Sequence, residues 1–271
     1  MINSETAYFE ILSKPKVSEI KCVVLDYDGT LTTLRKGWDL ILTDYARGKI
    51  NPNGLPCDAL DDEIRHLCAH AGGTTPKQLV SRLIAIMDKM NLIDKSEIKS
   101  LEFYAKDYAD HFQEKIDERV KHFAQESESY VITAVRPMLD FISSQKTLNY
   151  IVTGSCETAV KDELQKLEMM HHFEKVYGAS LEMDGNLKLD AMNEIIARHR
   201  LSPCEVLIIG DGSTETRAAT ELKLPVIGIA SDEHTGGLCS KKRDMLAELG
   251  AHAIISDYSG FANVWNWLHE A

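Results

Sequence analysis

Apolar positions along the chain follow two regimes. From about residue 148 onward, short apolar runs alternate with helical patterns. NYIVT (149–153), EKVYGA (174–179), CEVLIIG (204–210), LPVIGIA (224–230) and HAIIS (252–256) read as strands. Helix-like stretches lie between them near 156–168, 189–199, 214–222 and 240–249, and a last helix carries Phe261, Val264, Trp265 and Leu268 at one-face spacing. Alternation of this kind implies a parallel sheet covered on both faces. Val23, Val24 and Leu25 add a short, fully buried strand near the start, bringing the sheet to about six strands.

Residues 36–130 carry no strand pattern. Leu79, Val80, Leu83, Ile84 and Met87 form one apolar helix face, and Leu101, Tyr108, Phe112, Ile116, Val120 and Phe123 predict a long helix from roughly 95 to 125. KINPNGLPCD (49–58) and HAGGTTPK (70–77) are turn-rich breaks inside this block. The pattern predicts an α/β fold: a doubly wound parallel sheet, a Rossmann-like core of residues 1–34 and 131–271, with an all-helical domain over 35–130 inserted after the first strand.

Composition narrows the function classes. With 271 residues, 44% of them hydrophobic and 27% charged, the chain can bury a substantial core as one large domain or two modest ones. A formal charge of −12 with no offsetting basic stripe argues against nucleic acid as a partner. Six scattered cysteines with no CxxC pair fit reduced thiols better than a disulfide frame. No apolar run reaches membrane-spanning length, and the first residues lack the order of a secretion signal, so the expectation is a cytoplasmic protein without a membrane partner, monomer or homodimer. No GxxxxGK[ST] loop supports an ATP-driven enzyme.

The candidate chemistry sits at strand ends. In open parallel sheets ligands bind beyond the carboxyl ends of the strands, and here three strands end in LDYDGT, IVTGS and IIGDGSTE. Were those strands neighbours, Asp26, Asp28 and Asp211 would converge, with Glu215 one helical turn past Asp211. Carboxylates crowded in one cleft repel and must take up protons or share a cation. An all-oxygen cluster with few protein ligands suits Mg2+, which often bridges to a phosphate. Thr153, Gly154 and Ser155, expected at a helix N-terminus, offer a hydroxyl and backbone N–H groups to an anion. Lys188, expected just before the helix that leads into the IIGD strand, completes the charge balance.

DYDGTLT, IVTGS, Lys188 and GDGSTE, in this order, resemble the four motifs of the haloacid dehalogenase superfamily. The helical insert after the first motif is similar to that superfamily's cap domain of the first type. The resemblance implies that Asp26 is a nucleophile forming an aspartyl-phosphate and that Asp28 is its acid/base partner. It further implies Mg2+ held by Asp26, the backbone carbonyl of Asp28, and Asp211, and phosphoryl oxygens held by Thr153, Gly154 and Lys188. Glu215 stands where an aspartate is more usual and fits a bond to the metal through water. Tyr27, between the two aspartates, is expected to point its side chain to the core. Arg35, Lys36, Gly73 and Thr74 are expected to read the substrate from the cap. The expected function is a Mg2+-dependent phosphatase of a small phosphorylated metabolite such as a sugar phosphate. The alternatives are a phosphomutase using the same phospho-aspartate and a catalytically silent binding protein of the same fold. A dehalogenase fits less well, because a halide leaving group needs no proton from Asp28.

Overall fold

The computed structural model describes residues 8–50, 58–69, 76–92, 99–122, 127–179 and 186–270. Among them the chain forms seven strands. These are β1 Phe9–Ile11, β2 Cys22–Leu25, β3 Leu148–Cys156, β4 Lys175–Ala179, β5 Val206–Gly210, β6 Val226–Ile229 and β7 Ala253–Ile255. They make one sheet in the order β1-β7-β6-β5-β2-β3-β4, parallel except for the antiparallel β1–β7 pair at one edge. The predicted parallel strands are all present. β1 is an addition: three residues are too few to show a period.

The described residues also contain ten α-helices. Four belong to the insert: α1 Trp38–Ile50, α2 Asp58–Ala69, α3 Pro76–Lys89 and α4 Leu101–Val120. Six accompany the sheet: α5 Val135–Ser144, α6 Glu157–Lys166, α7 Leu187–His199, α8 Ser213–Glu221, α9 Ser240–Glu248 and α10 Phe261–His269. The chain divides into two compact units, one of residues 1–36 and 123–271, the other of residues 37–122.

In the sheet-containing unit, every residue of β2 and β5 is buried, as continuous apolar runs require when both faces are covered. Cys22, Val24, Val152 and Ile208 share a core cluster with Ala191, Met192 and Ile195 of α7, Ala218 and Ala219 of α8, and Leu246 of α9. Val23 and Leu25 point the other way by strand alternation and are equally buried. α5 and α10 pack on each other through Phe141, whose ring meets Phe261 and Trp265 edge-on.

The helical unit has its own core. Leu42, Tyr45 and Ala46 of α1, Leu60, Ile64 and Leu67 of α2, Leu79, Val80, Leu83 and Met87 of α3, and Tyr108 of α4 are buried together. Ser100 caps α4, its hydroxyl accepting the Phe103 N–H at 3.2 Å, so the helix starts later than the spacing predicts. It ends at Val120, and Phe123 lies outside the described residues. No helix among the described residues is long and apolar enough to cross a membrane.

Candidate active site

The register of three central strands builds the site. β2 lies between β3 and β5, with Leu25 level with Ile151 on one side and Ile209 on the other. Asp26 follows directly, its N–H bonded to the Ile209 carbonyl at 3.0 Å. One step further along the flanking strands stand Thr153 and Asp211. Three separate carboxyl ends therefore meet at one place, as the strand-end reading requires.

Asp26, Asp211 and Glu215 each bring a carboxylate oxygen to within 4.8 Å of the others. Lys188 bridges two of them, with Nζ 2.7 Å from Asp26 Oδ2 and 2.6 Å from Glu215 Oε2. Lys242 closes the other side, 2.6 Å from Asp211 Oδ2 and 2.7 Å from Glu233 Oε1. Thr30 donates its hydroxyl to Asp211 Oδ1 at 3.2 Å. The turn after β2 must run very close: a Cβ on Gly29 would lie 2.1 Å from Asp211 Oδ2, and its φ of +70° also favours glycine.

Burial dominates the electrostatics. It pushes the Asp26 carboxyl up to about 8, Glu215 and Asp211 adding to the rise against the pull of Lys188. Burial likewise raises Asp211 to about 6, with Lys242 opposing and Glu215 reinforcing. Lys188 is also penalised by burial, yet Asp26 and Glu215 hold its pKa above the usual lysine range. Glu215 stays below the ordinary glutamate value despite its burial, because Lys188 and backbone N–H groups including that of Gly212 favour its charged form.

A second knot of charge surrounds Asp28. Ser155 donates its hydroxyl to Asp28 Oδ2 at 2.5 Å, and Arg35 Nη1 donates to Asp28 Oδ1 at 2.9 Å. The guanidinium also meets both oxygens of the buried Glu163 at 2.9 Å. Burial works against the Arg35 charge, but Asp28 and Glu163 together hold its pKa above the usual value. Tyr27 is fully buried, as predicted, and Arg35 lies over its ring at 5.6 Å.

The two knots hold six carboxylates (Asp26, Asp28, Glu163, Asp211, Glu215 and Glu233) against three cations, Arg35, Lys188 and Lys242. A hard divalent cation fits that surplus and the all-oxygen donor set. Glu215 is the weakest candidate ligand, since Lys188 holds one of its oxygens and the Gly212 N–H the other.

Several expectations are corrected. β3 runs on to Cys156 and α6 begins at Glu157, so Thr153, Gly154 and Ser155 lie at a strand end and not at a helix N-terminus. Thr153 is buried and its hydroxyl accepts the Ser155 N–H at 3.1 Å; Gly154 is exposed, with open space where a Cβ would stand. Lys188 lies inside the first turn of α7, where the cap Asn186 has already started the helix. Arg35 and Lys36 fall in the sheet-containing unit, outside the helical one that starts at Gly37. Gly73 and Thr74 lie outside the described residues.

Two participants escape the sequence reading, although each leaves a trace. Lys242 belongs to SKKRD, whose basic first turn opposes the helix dipole, a sign that carboxylates elsewhere recruit it. Glu163 sits on the apolar stripe of α6 with Val160 and Leu164, where an unpaired acid would be costly.

A mostly parallel α/β sheet with acidic residues gathered beyond its central strands defines a Rossmann-like fold with its site at the carboxyl ends of the strands. The chain belongs to the family described as haloacid dehalogenase-like hydrolase, whose sequence model matches residues 65–229. Against curated proteins the sequence finds no match. Among solved structures it is similar to one described as a "predicted phosphoglycolate phosphatase" from Haemophilus somnus 129pt, at TM-score 0.65 and 17% identity over 92% of this chain and 99% of that one. A haloacid dehalogenase-like family protein from Streptococcus pneumoniae aligns at TM-score 0.61 and 19% identity, over 91% and 98%. A beta-phosphoglucomutase from Clostridium difficile aligns at TM-score 0.61 and 11% identity, over 92% and 97%. At these identities the likeness concerns the fold.

Proposed function

We propose that this protein is a Mg2+-dependent phosphatase of a small phosphorylated metabolite such as a sugar phosphate. The observation that carries the reading is that Asp26 and Asp211, at the tips of adjacent strands, come within 4.8 Å of each other and of Glu215 in the first turn of α8, with Lys188 bridging Asp26 and Glu215. An Asp26 oxygen attacks phosphorus while the ester P–O bond breaks. Asp28 gives its proton to the departing oxygen. Water then attacks the aspartyl-phosphate and yields its proton to Asp28, the P–O bond to Asp26 breaks, and inorganic phosphate leaves.

Asp26, Asp211 and the Asp28 carbonyl would hold the metal, with Glu215 bonded through water. Bound Mg2+ supplies positive charge to the phosphoryl oxygens and favours the ionised form of Asp26. Lys188, within reach of Asp26, neutralises the transferring group, and Thr153 with the Gly154 N–H orients its oxygens. The helical insert serves as the cap that selects the substrate, with Gly73 and Thr74 contributing.

Phosphate release from p-nitrophenyl phosphate tests this reading. It is expected to need Mg2+, to stop with EDTA, and to fall by several orders of magnitude in Asp26→Asn with the fold retained. Near-wild-type turnover in Asp26→Asn would overturn the covalent route. A phosphomutase would instead pass the group to a second hydroxyl, so a single turnover yielding product without free phosphate would favour that alternative.

A further inference from the structure

The steps above leave one buried ion pair unused, and it adjoins Asp28. The Arg35 and Glu163 side chains keep only 8% and 2% of their surface exposed, whereas Asp28 keeps 28%. Glu163 grips the guanidinium through both oxygens at 2.9 Å, which fixes its plane, and the Tyr27 ring lies alongside it. In that plane Nη1 carries a second hydrogen, and it points at Asp28 Oδ1. Ser155 holds the other Asp28 oxygen at 2.5 Å.

Stability alone is a poor reason for such an arrangement. A buried ion pair gains little over apolar residues of the same volume, because desolvation offsets the attraction. What the pair does provide is direction: a rigid N–H aimed at a half-buried carboxylate. Each carboxylate oxygen has two lone-pair sites, so Asp28 can be held at both oxygens and still exchange a proton. Proton transfer to a leaving oxygen depends on the donor's placement within hydrogen-bond reach.

We propose that Arg35, locked by Glu163, is a positioning residue that orients Asp28 for proton transfer to the leaving oxygen. This replaces the expectation that Arg35 reads the substrate, and it rests on the phosphatase reading. The proton still passes from Asp28 to the ester oxygen; Arg35 neither gives nor takes one.

The test is kcat/KM over a series of esters running from p-nitrophenyl phosphate to alkyl phosphates, since this constant covers the steps up to phosphoryl transfer. A poor leaving group needs the proton most. Arg35→Lys keeps the charge and loses the fork. It is expected to lose about 100-fold on alkyl phosphates and less than about 10-fold on p-nitrophenyl phosphate. The double variant Arg35→Met/Glu163→Gln removes both buried charges together, so it folds even if the single change does not, and the same selective loss is expected. Mg2+ affinity by calorimetry is expected to stay at the wild-type value in both. Equal losses on every ester, or alkyl-phosphate activity near wild type, would overturn the inference. Asp28→Asn separates the two levels. A selective loss there with a flat response at Arg35 removes only this inference, whereas wild-type protein inactive on every ester removes the phosphatase reading itself.

Discussion

Lys188 stands between Asp26 and Glu215 with almost no access to water. Removing its charge strands two buried carboxylates, and breaking a buried pair in this way typically costs about 3–5 kcal/mol. Lys188→Met is therefore expected to lower unfolding stability by about 3 kcal/mol in urea titrations without metal. Millimolar Mg2+ is expected to restore part of the loss, because a second cation takes over the uncompensated charge. A loss untouched by Mg2+ would count against these carboxylates as its site. Asp26 and Asp211 stand out in the sequence because each acid directly follows a buried apolar strand, and the fold brings the two together. Lys242 and Glu163 do not stand out, because a lysine on a helix N-terminus or a glutamate in an apolar stripe becomes meaningful only beside its partner.

Individual elements show the same division. The parallel strands were readable from continuous apolar runs, each buried on both faces. β1 was not: Phe9 and Ile11 are both exposed, and the strand exists because it pairs with β7. Arg243 of α9 also clasps Glu10 there, and this contact, with a hydrogen bond from Tyr8, holds the Glu10 carboxyl down at about 2. The join between β6 and β7 depends on His252. Its ring Nδ1 accepts the Val226 N–H at 3.1 Å, and its backbone N–H donates to the Val226 carbonyl at 2.9 Å. Burial lowers the His252 pKa below 6.5, so the neutral ring belongs to the folded state. The stability this linkage contributes is complete above pH 6.5 and is lost progressively as pH falls below it, because the unfolded chain binds the proton more readily. Urea midpoints compared at pH 7.5 and 5.5 should fall less steeply in His252→Gln than in the wild type. An unchanged slope would reject His252 as a source of acid sensitivity.

At the scale of the whole molecule, each of the two compact units has buried apolar clusters of its own among the described residues. Leu83 is 1% exposed in the core of the helical unit. Leu83→Ala removes packing there and leaves a cavity, for which about 3 kcal/mol is the usual cost. Hydrogen exchange is expected to quicken in α1–α4 while the amides of β2, β3 and β5 keep their protection. Loss of protection in both units together would show that they unfold as one. The helical character of residues 37–122 was legible from the faces of α3 and α4. α1 and α5 are not among the predicted helices, although Val135, Met138, Leu139 and Ile142 have the spacing of a buried face. Pro137 stands in the first turn of α5, where a proline costs no hydrogen bond.

Periodicity and the order of the strand-end motifs were enough for the α/β class, the family resemblance and the acids at the centre of the site, because those features depend on local runs of residues. The ion-pair partners depend on strand register and helix packing. Glu163 reaches Arg35 across 128 positions of chain, and Lys188 reaches Asp26 across 162. Electrostatic energy depends on distance in space and on burial, and only the folded chain sets either one.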